Sequence, residues 1–436
     1  MSKPAPGQPA VLGPVSLGPS PITSRRSRST TAPTRVRQQA PQLSAPPTAV
    51  AFVPSAARAA VADPTPLALR FDLKPRDVKV HLDRFVIGQL EAKKVLSVAL
   101  CDHFNHVRLC LEGNPAAHYQ KQNVLLLGPT GVGKTHLIRS AAELIGVPFV
   151  KADATKFSET GYVGADVDDL VRDLIRRASG DLKRAALGII YLDEVDKLAT
   201  QAGSGRDVSG KGVQTNLLKL MEDTDIPVLS PNDISGQVQG AMAVARGGAP
   251  SADTINTQHV LFIVSGAFAG LTEIIRNRSI RERGEAMKAP SKPTLTLSES
   301  PNPYDDATTA DFISYGFEPE FIGRLPVRVA CHALSENDLY EVMRESESSL
   351  IHQYERAFGA YGIRVKFRAD GLHRIARLAS AERTGARGLM TVCERLFREL
   401  KFELPSSSVR ELVISRAVVD DPMGTVKRLI DPPSTT

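Results

Sequence analysis

From residue 67 onward the chain alternates short apolar runs with longer stretches whose apolar residues recur every three or four positions. The first long stretch, residues 89–111, sets Leu90, Val95, Leu96, Leu100, Phe104 and Val107 near one face and predicts an amphipathic helix. Four runs then read as buried strands: 124–127, 149–152, 188–192 and 260–264. They are short and apolar on both faces, as strands are when helices cover both sides of a parallel sheet. The predicted fold class is therefore α/β, a parallel sheet with helices on both faces. After Ala330 the pattern turns to helices around two further strands, 363–367 and 411–414, which predicts a smaller α+β domain. The expected organisation is a tail over 1–66, a large domain over 67–330 and a small C-terminal domain over 331–436.

Composition changes the picture mainly at the N-terminus. Residues 1–66 hold 13 of the 30 prolines among Ala, Ser, Thr and Gln, without periodicity, and are predicted to be disordered. They are also Arg- and Ser-rich and almost free of acids, which fits an organelle transit peptide. A plain tail implies a cytoplasmic protein, whereas a transit peptide implies a mitochondrial or plastid matrix. The net charge of +6 is local to this segment: residues 1–62 carry Lys3, Arg25, Arg26, Arg28, Arg35, Arg37 and Arg58 and no acid, or +7, leaving −1 for the rest. A near-neutral body gives no basic groove, so no nucleic-acid partner is expected. No apolar run approaches the roughly 18 residues of a membrane span, so no membrane partner is expected either. Cys101, Cys110, Cys331 and Cys393 are scattered without a Cys-x-x-Cys pair, which predicts no zinc site and a reducing compartment.

The chemistry lies between residues 128 and 194. Gly128, Pro129, Thr130, Gly131, Val132, Gly133, Lys134 and Thr135 follow a predicted strand and precede a helical pattern, the context of a P-loop. The glycines let backbone amides turn toward phosphates, Lys134 reaches the β and γ phosphates, and the Thr135 hydroxyl suits magnesium. Downstream, the strand 188–192 runs into Asp193 and Glu194. Two acids at a strand end would alone be an ordinary solvated terminus. Beside a P-loop, Asp193 is the candidate to hold Mg2+ and Glu194 the candidate to polarise an attacking water, which favours an ATPase over a kinase.

Further segments match a known pattern in order: 86–89 with Ala92, Lys93 and Lys94; 161–164; 191–197; 209–214; 266–270; 319–326; and 384–389. On these residues and the P-loop, the chain resembles the AAA+ ATPases of the Clp/Hsp100 group, most closely the ClpX unfoldases, over residues 73–419. HslU fits less well, because only 28 residues separate Gly164 from Asp193, too few for its large insertion. The resemblance implies ATP and Mg2+ as cofactors and places Val86 and Ile87 beside the adenine. It makes Arg324 an arginine finger that joins Glu194 and Lys134 in catalysis from a neighbouring subunit, and Arg387 a contact to the nucleotide of its own subunit. Tyr162 and Val163 become the grip on substrate in an axial pore, with 206–210 as a second pore loop. The implied activity is an ATP-dependent unfoldase and translocase, a homo-hexamer acting on unfolded or tagged proteins, with no protease site of its own.

The sequence also departs from that family. Residues 1–66 stand where a four-cysteine zinc domain is usual, so no zinc is expected. The aliphatic-Gly-Phe tripeptide that docks the ClpP peptidase is missing from residues 279–311, and Gly316-Phe317, the only Gly-Phe pair, abuts the Arg324 motif. Residues 236–253 carry Arg246 as their only basic residue, in place of an Arg-Lys-His loop. These differences leave open a remodelling chaperone that works without ClpP, or an ATP-gated scaffold.

Overall fold

The computed structural model describes residues 71–115, 119–158, 165–199, 208–228, 254–288, 302–346 and 349–430. Its centre is a five-stranded sheet formed by β1 (Val124–Leu127), β2 (Phe149–Asp153), β3 (Ile189–Asp193), β6 (Leu261–Gly266) and β7 (Val327–Ala330). The order is β2-β3-β6-β1-β7 and every pairing is parallel. Two shorter strands, β4 (Asp225–Pro227) and β5 (Thr254–Asn256), form a separate antiparallel pair.

The continuous apolar runs have a simple origin in the pleat. Leu125, Leu127, Ile190, Leu192, Phe262 and Val264 face one helical layer, and Val124, Leu126, Ile189, Tyr191, Leu261 and Ile263 face the other. Successive residues therefore all need apolar side chains. The helix Leu90–Leu111 packs on the second face with Leu96, Leu100, Phe104 and Val107 fully buried. Leu90 and Val95, expected on that face, are instead 65% and 37% exposed, while Ala92, Ala99 and Cys101 are buried in their place. An earlier helix, Pro75–Phe85, begins with Pro at its first position and a capping box from Asp77, and buries Val78 and Leu82.

A third apolar cluster, drawn from residues 339–426, surrounds the parallel pair β8 (Arg364–Phe367) and β9 (Glu411–Ile414). The helices Ala369–Ala381 and Ala386–Glu403 pack into it with Leu372, Ile375, Leu389, Leu396 and Phe397. The segment that leads to it from β7 is fastened by Gln89, whose side-chain amide donates to the carbonyl of His332 and whose amide oxygen accepts from the His332 backbone N–H, both at 2.8 Å. Among the described residues, no helix is long and apolar enough to cross a membrane.

Candidate functional site

All five sheet strands point their C-terminal ends at one edge, where open parallel sheets bind ligands. The loop 128–133 leaves β1 at that edge and feeds the helix Lys134–Ile145. Gly128 (φ +135°) passes so close to Cys331 that an added Cβ would lie 2.3 Å from its carbonyl oxygen. Gly131 (φ +79°) is as constrained: a Cβ there would lie 2.1 Å from the Thr384 carbonyl, and its own carbonyl accepts the backbone N–H of Ala386 at 2.8 Å. Gly131→Ala combines backbone strain with a steric overlap, and is expected to cost about 1–3 kcal/mol and to weaken ATP binding. Thermal unfolding with and without ATP measures both effects, and unchanged values would refute the close approach.

The loop and the facing strand ends enclose a cleft of about 410 Å³. Thr130, Gly131, Gly133, Lys134 and Thr135 form one wall, Asp193, Glu194 and Asp196 another, and Arg387 a third. Lys134 is buried, and its Nζ donates to the carbonyls of Gly128 at 2.6 Å and Pro129 at 2.9 Å. Burial lowers its pKa from the ordinary lysine value, a cost that phosphate oxygens would relieve.

Asp193 is the electrostatic centre of the cleft. Its Oδ1 accepts from Ser265 Oγ at 2.8 Å and from the Glu194 backbone N–H at 3.1 Å, and its Oδ2 accepts from Thr135 Oγ1 at 3.3 Å. Lys151 Nζ, from β2, lies 3.1 Å from the same Oδ2 and donates to Thr135 Oγ1 at 3.3 Å. Burial raises the pKa of Asp193, but the Ser265, Lys151 and Glu194 contacts outweigh it and hold the carboxyl below its ordinary value. Tyr191, buried beneath, completes the network through Ser265 Oγ at 2.7 Å and Thr135 Oγ1 at 3.2 Å. Glu194 takes a left-handed backbone (φ 59°), unusual for a non-glycine residue, and its side chain is exposed in the cleft.

The residues fit Mg2+. Thr135 Oγ1 and Asp193 Oδ2 are hard oxygens on one side of the cleft, and a positively charged ammonium already bridges them. Among the described residues no three His, Cys, Asp or Glu side chains converge on one point.

A second cavity of about 250 Å³ shares Gly133, His136, Ala386 and Met390 with the cleft and is lined by Val86, Ile87, Val132, Leu334, Val342 and Leu389. An apolar chamber opening onto a phosphate-binding loop has the form of a nucleotide site. The structure thus brings together Val86, Ile87, the loop, Asp193, Glu194 and Arg387. Ser265, Lys151 and His136 also border the site although sequence reasoning passed over them. Ser265 and Lys151 carried a readable signal, being polar residues near the C-terminal ends of otherwise apolar strands.

Arg324 is not among the residues lining this cleft. It caps the helix Pro319–Gly323 and pairs with Glu222 at 2.5 Å, in a different polar cavity of about 1020 Å³ that also holds Asp223 and Glu320. There Asn123 Nδ2 donates to the Arg324 carbonyl at 3.2 Å. Burial brings neighbouring Lys121 down to about 7, with Arg324 adding to the shift and Asp223 opposing it. Tyr162 and Val163 lie outside the described residues. Of the expected second pore loop, residues 206–207 lie outside the described residues, and Val208–Gly210 open the helix Val208–Met221, with Gly210 packed tightly on the Leu198 carbonyl.

Comparison with known proteins gives the same direction. Residues 119–328 match the family described as AAA domain (Cdc48 subfamily). The chain is 39% identical over 350 residues to the ATP-dependent Clp protease ATP-binding subunit ClpX of Borrelia duttonii, covering 78% of this chain and 77% of that protein. It is 37% identical over 367 residues to ClpX of Treponema denticola, covering 82% and 84%. Against ClpX 3 of Methylococcus capsulatus the identity is 38% over 364 residues, covering 80% of each.

Proposed function

The chain belongs to the ClpX family of AAA+ ATPases, and on that premise we propose that it works as a homo-hexamer that draws proteins through an axial pore and unfolds them. It is an ATPase, and the observation that carries this reading is the junction of the apolar chamber at Val86 and Ile87 with the phosphate cleft at Lys134. Adenine fits the first and a triphosphate the second.

In this reading the chain's own groups divide the work. Lys134 turns from the Gly128 and Pro129 carbonyls to the β and γ phosphates, exchanging neutral acceptors for charged ones. Thr135 and Asp193 would hold Mg2+, which neutralises phosphate charge when bound. Glu194, which neither the Ser265 nor the Lys151 contact engages, takes the proton of the attacking water. Arg387, beside the loop at Gly131, senses the nucleotide of its own subunit, while Arg324 serves the cleft of a neighbour.

Tyr162 and Val163 form the substrate grip: an aromatic between two glycines presses on any polypeptide regardless of its sequence. Tyr162→Ala should keep ATP turnover within about twofold and lose most unfolding of a tagged fluorescent protein. Unfolding at the parent rate would remove Tyr162 from this role. The lack of an aliphatic-Gly-Phe tripeptide between Ser279 and Asp311 favours remodelling without a ClpP-type peptidase.

A further inference from the structure

Lys151 occupies an unusual position for a cation. Its Nζ lies 3.1 Å from Asp193 Oδ2 and 3.3 Å from Thr135 Oγ1, the two oxygens that fit Mg2+, and 5.8 Å from the centroid of the Tyr191 ring. The placement follows from the fold. β2 is the edge strand, Lys151 pairs in register with Tyr191 on β3, and the pleat turns it away from Val150, which is buried in the opposite layer. A magnesium ion needs its oxygens at about 2.0–2.1 Å, so metal and ammonium cannot both sit between Thr135 and Asp193.

We propose that Lys151 is an internal counter-ion at the magnesium position, holding Thr135 and Asp193 in place until the metal displaces it. The inference rests on the reading of this cleft as a magnesium-nucleotide site. Its chemistry is one of competition. The ammonium neutralises the Asp193 carboxylate in the nucleotide-free chain and flanks the hydrogen bond that Thr135 Oγ1 donates to Oδ2 at 3.3 Å. Displacement is cheap, because the Lys151 side chain is 37% exposed, carries its charge on a flexible stem and stands at the sheet edge with solvent beside it. Magnesium arriving with a nucleotide therefore replaces one cation by another, and the cleft never presents an uncompensated carboxylate.

The test titrates Mn2+ into the full chain in the presence of ADP, reading free Mn2+ by electron paramagnetic resonance against ADP alone, with retention of labelled ADP on a filter measured in parallel. Lys151→Met should half-saturate at about two- to fivefold lower Mn2+ than the parent, the scale of a partly exposed ion pair. Lys151→Arg, which keeps the charge, should stay near the parent. Half-saturation of Lys151→Met at the same or higher Mn2+, with ADP still retained by the parent, overturns the counter-ion role and leaves the ATPase reading in place. A parent chain that retains no ADP and takes up no Mn2+ overturns both.

Discussion

Replacing Glu194 by Gln is expected to leave ATP bound and to slow its hydrolysis about 10²- to 10⁴-fold, the range spanned by general acid–base catalysis. The expectation comes from the division between two adjacent acids. Asp193 is committed to Ser265, Thr135 and Lys151, so its oxygens are occupied in holding the cleft together. Glu194 is displaced from the strand direction by its left-handed backbone and presents its carboxylate to the same cleft without those obligations. An amide of the same shape keeps the packing and removes only the acceptor for a proton. Binding of labelled ATP and release of phosphate, measured on the same preparation, separate the two functions. Turnover at the parent rate would exclude Glu194 as the base, and loss of ATP binding would mean that the residue holds the cleft rather than acting in it.

Arg324→Ala should lower turnover further, by about 10³- to 10⁵-fold, the effect of removing an arginine finger. The geometry makes a specific demand here. Arg324 is held on Glu222, in a cavity separate from the one that holds Lys134 and Glu194. If it acts, it acts on a neighbour. Mixing Arg324→Ala chains with Glu194→Gln chains should then restore part of the activity, because a cleft with an intact Glu194 meets a partner with an intact Arg324. A mixture no more active than either variant alone would show that Arg324 does not complete a second subunit's site.

What the sequence made legible follows from how tightly each feature is constrained. The loop 128–135 could be read residue by residue because backbone conformation, close approach and charge each leave few choices there; at Gly131 a single added carbon meets Thr384. Strands buried on both faces, such as β3 and β6, were equally plain. β7 escaped notice because Arg328 interrupts its apolar character, reaching Thr309 Oγ1 at 2.7 Å on the flank of the sheet. β4 and β5, three residues each, are too short for alternation to register. The helix Pro75–Phe85 went unread although its Pro start and Asp77 capping box were visible signals. Ser265 and Lys151 show in the sequence only as polar breaks near strand ends; their role emerges when β2, β3 and β6 bring them, from more than 40 positions away, onto Asp193.

The contact between the Gly131 carbonyl and the Ala386 amide bears on how such a machine can evolve. Both partners are main chain, and the glycines at 131 and 385 leave no side chain between them. Drift in side-chain identity, which reshapes most interfaces within a protein, therefore has almost no purchase on this joint. Substitutions in pore loops, tails and docking surfaces leave this main-chain link untouched, whereas a side chain at either of those two glycines would push the nucleotide loop and the C-terminal module apart.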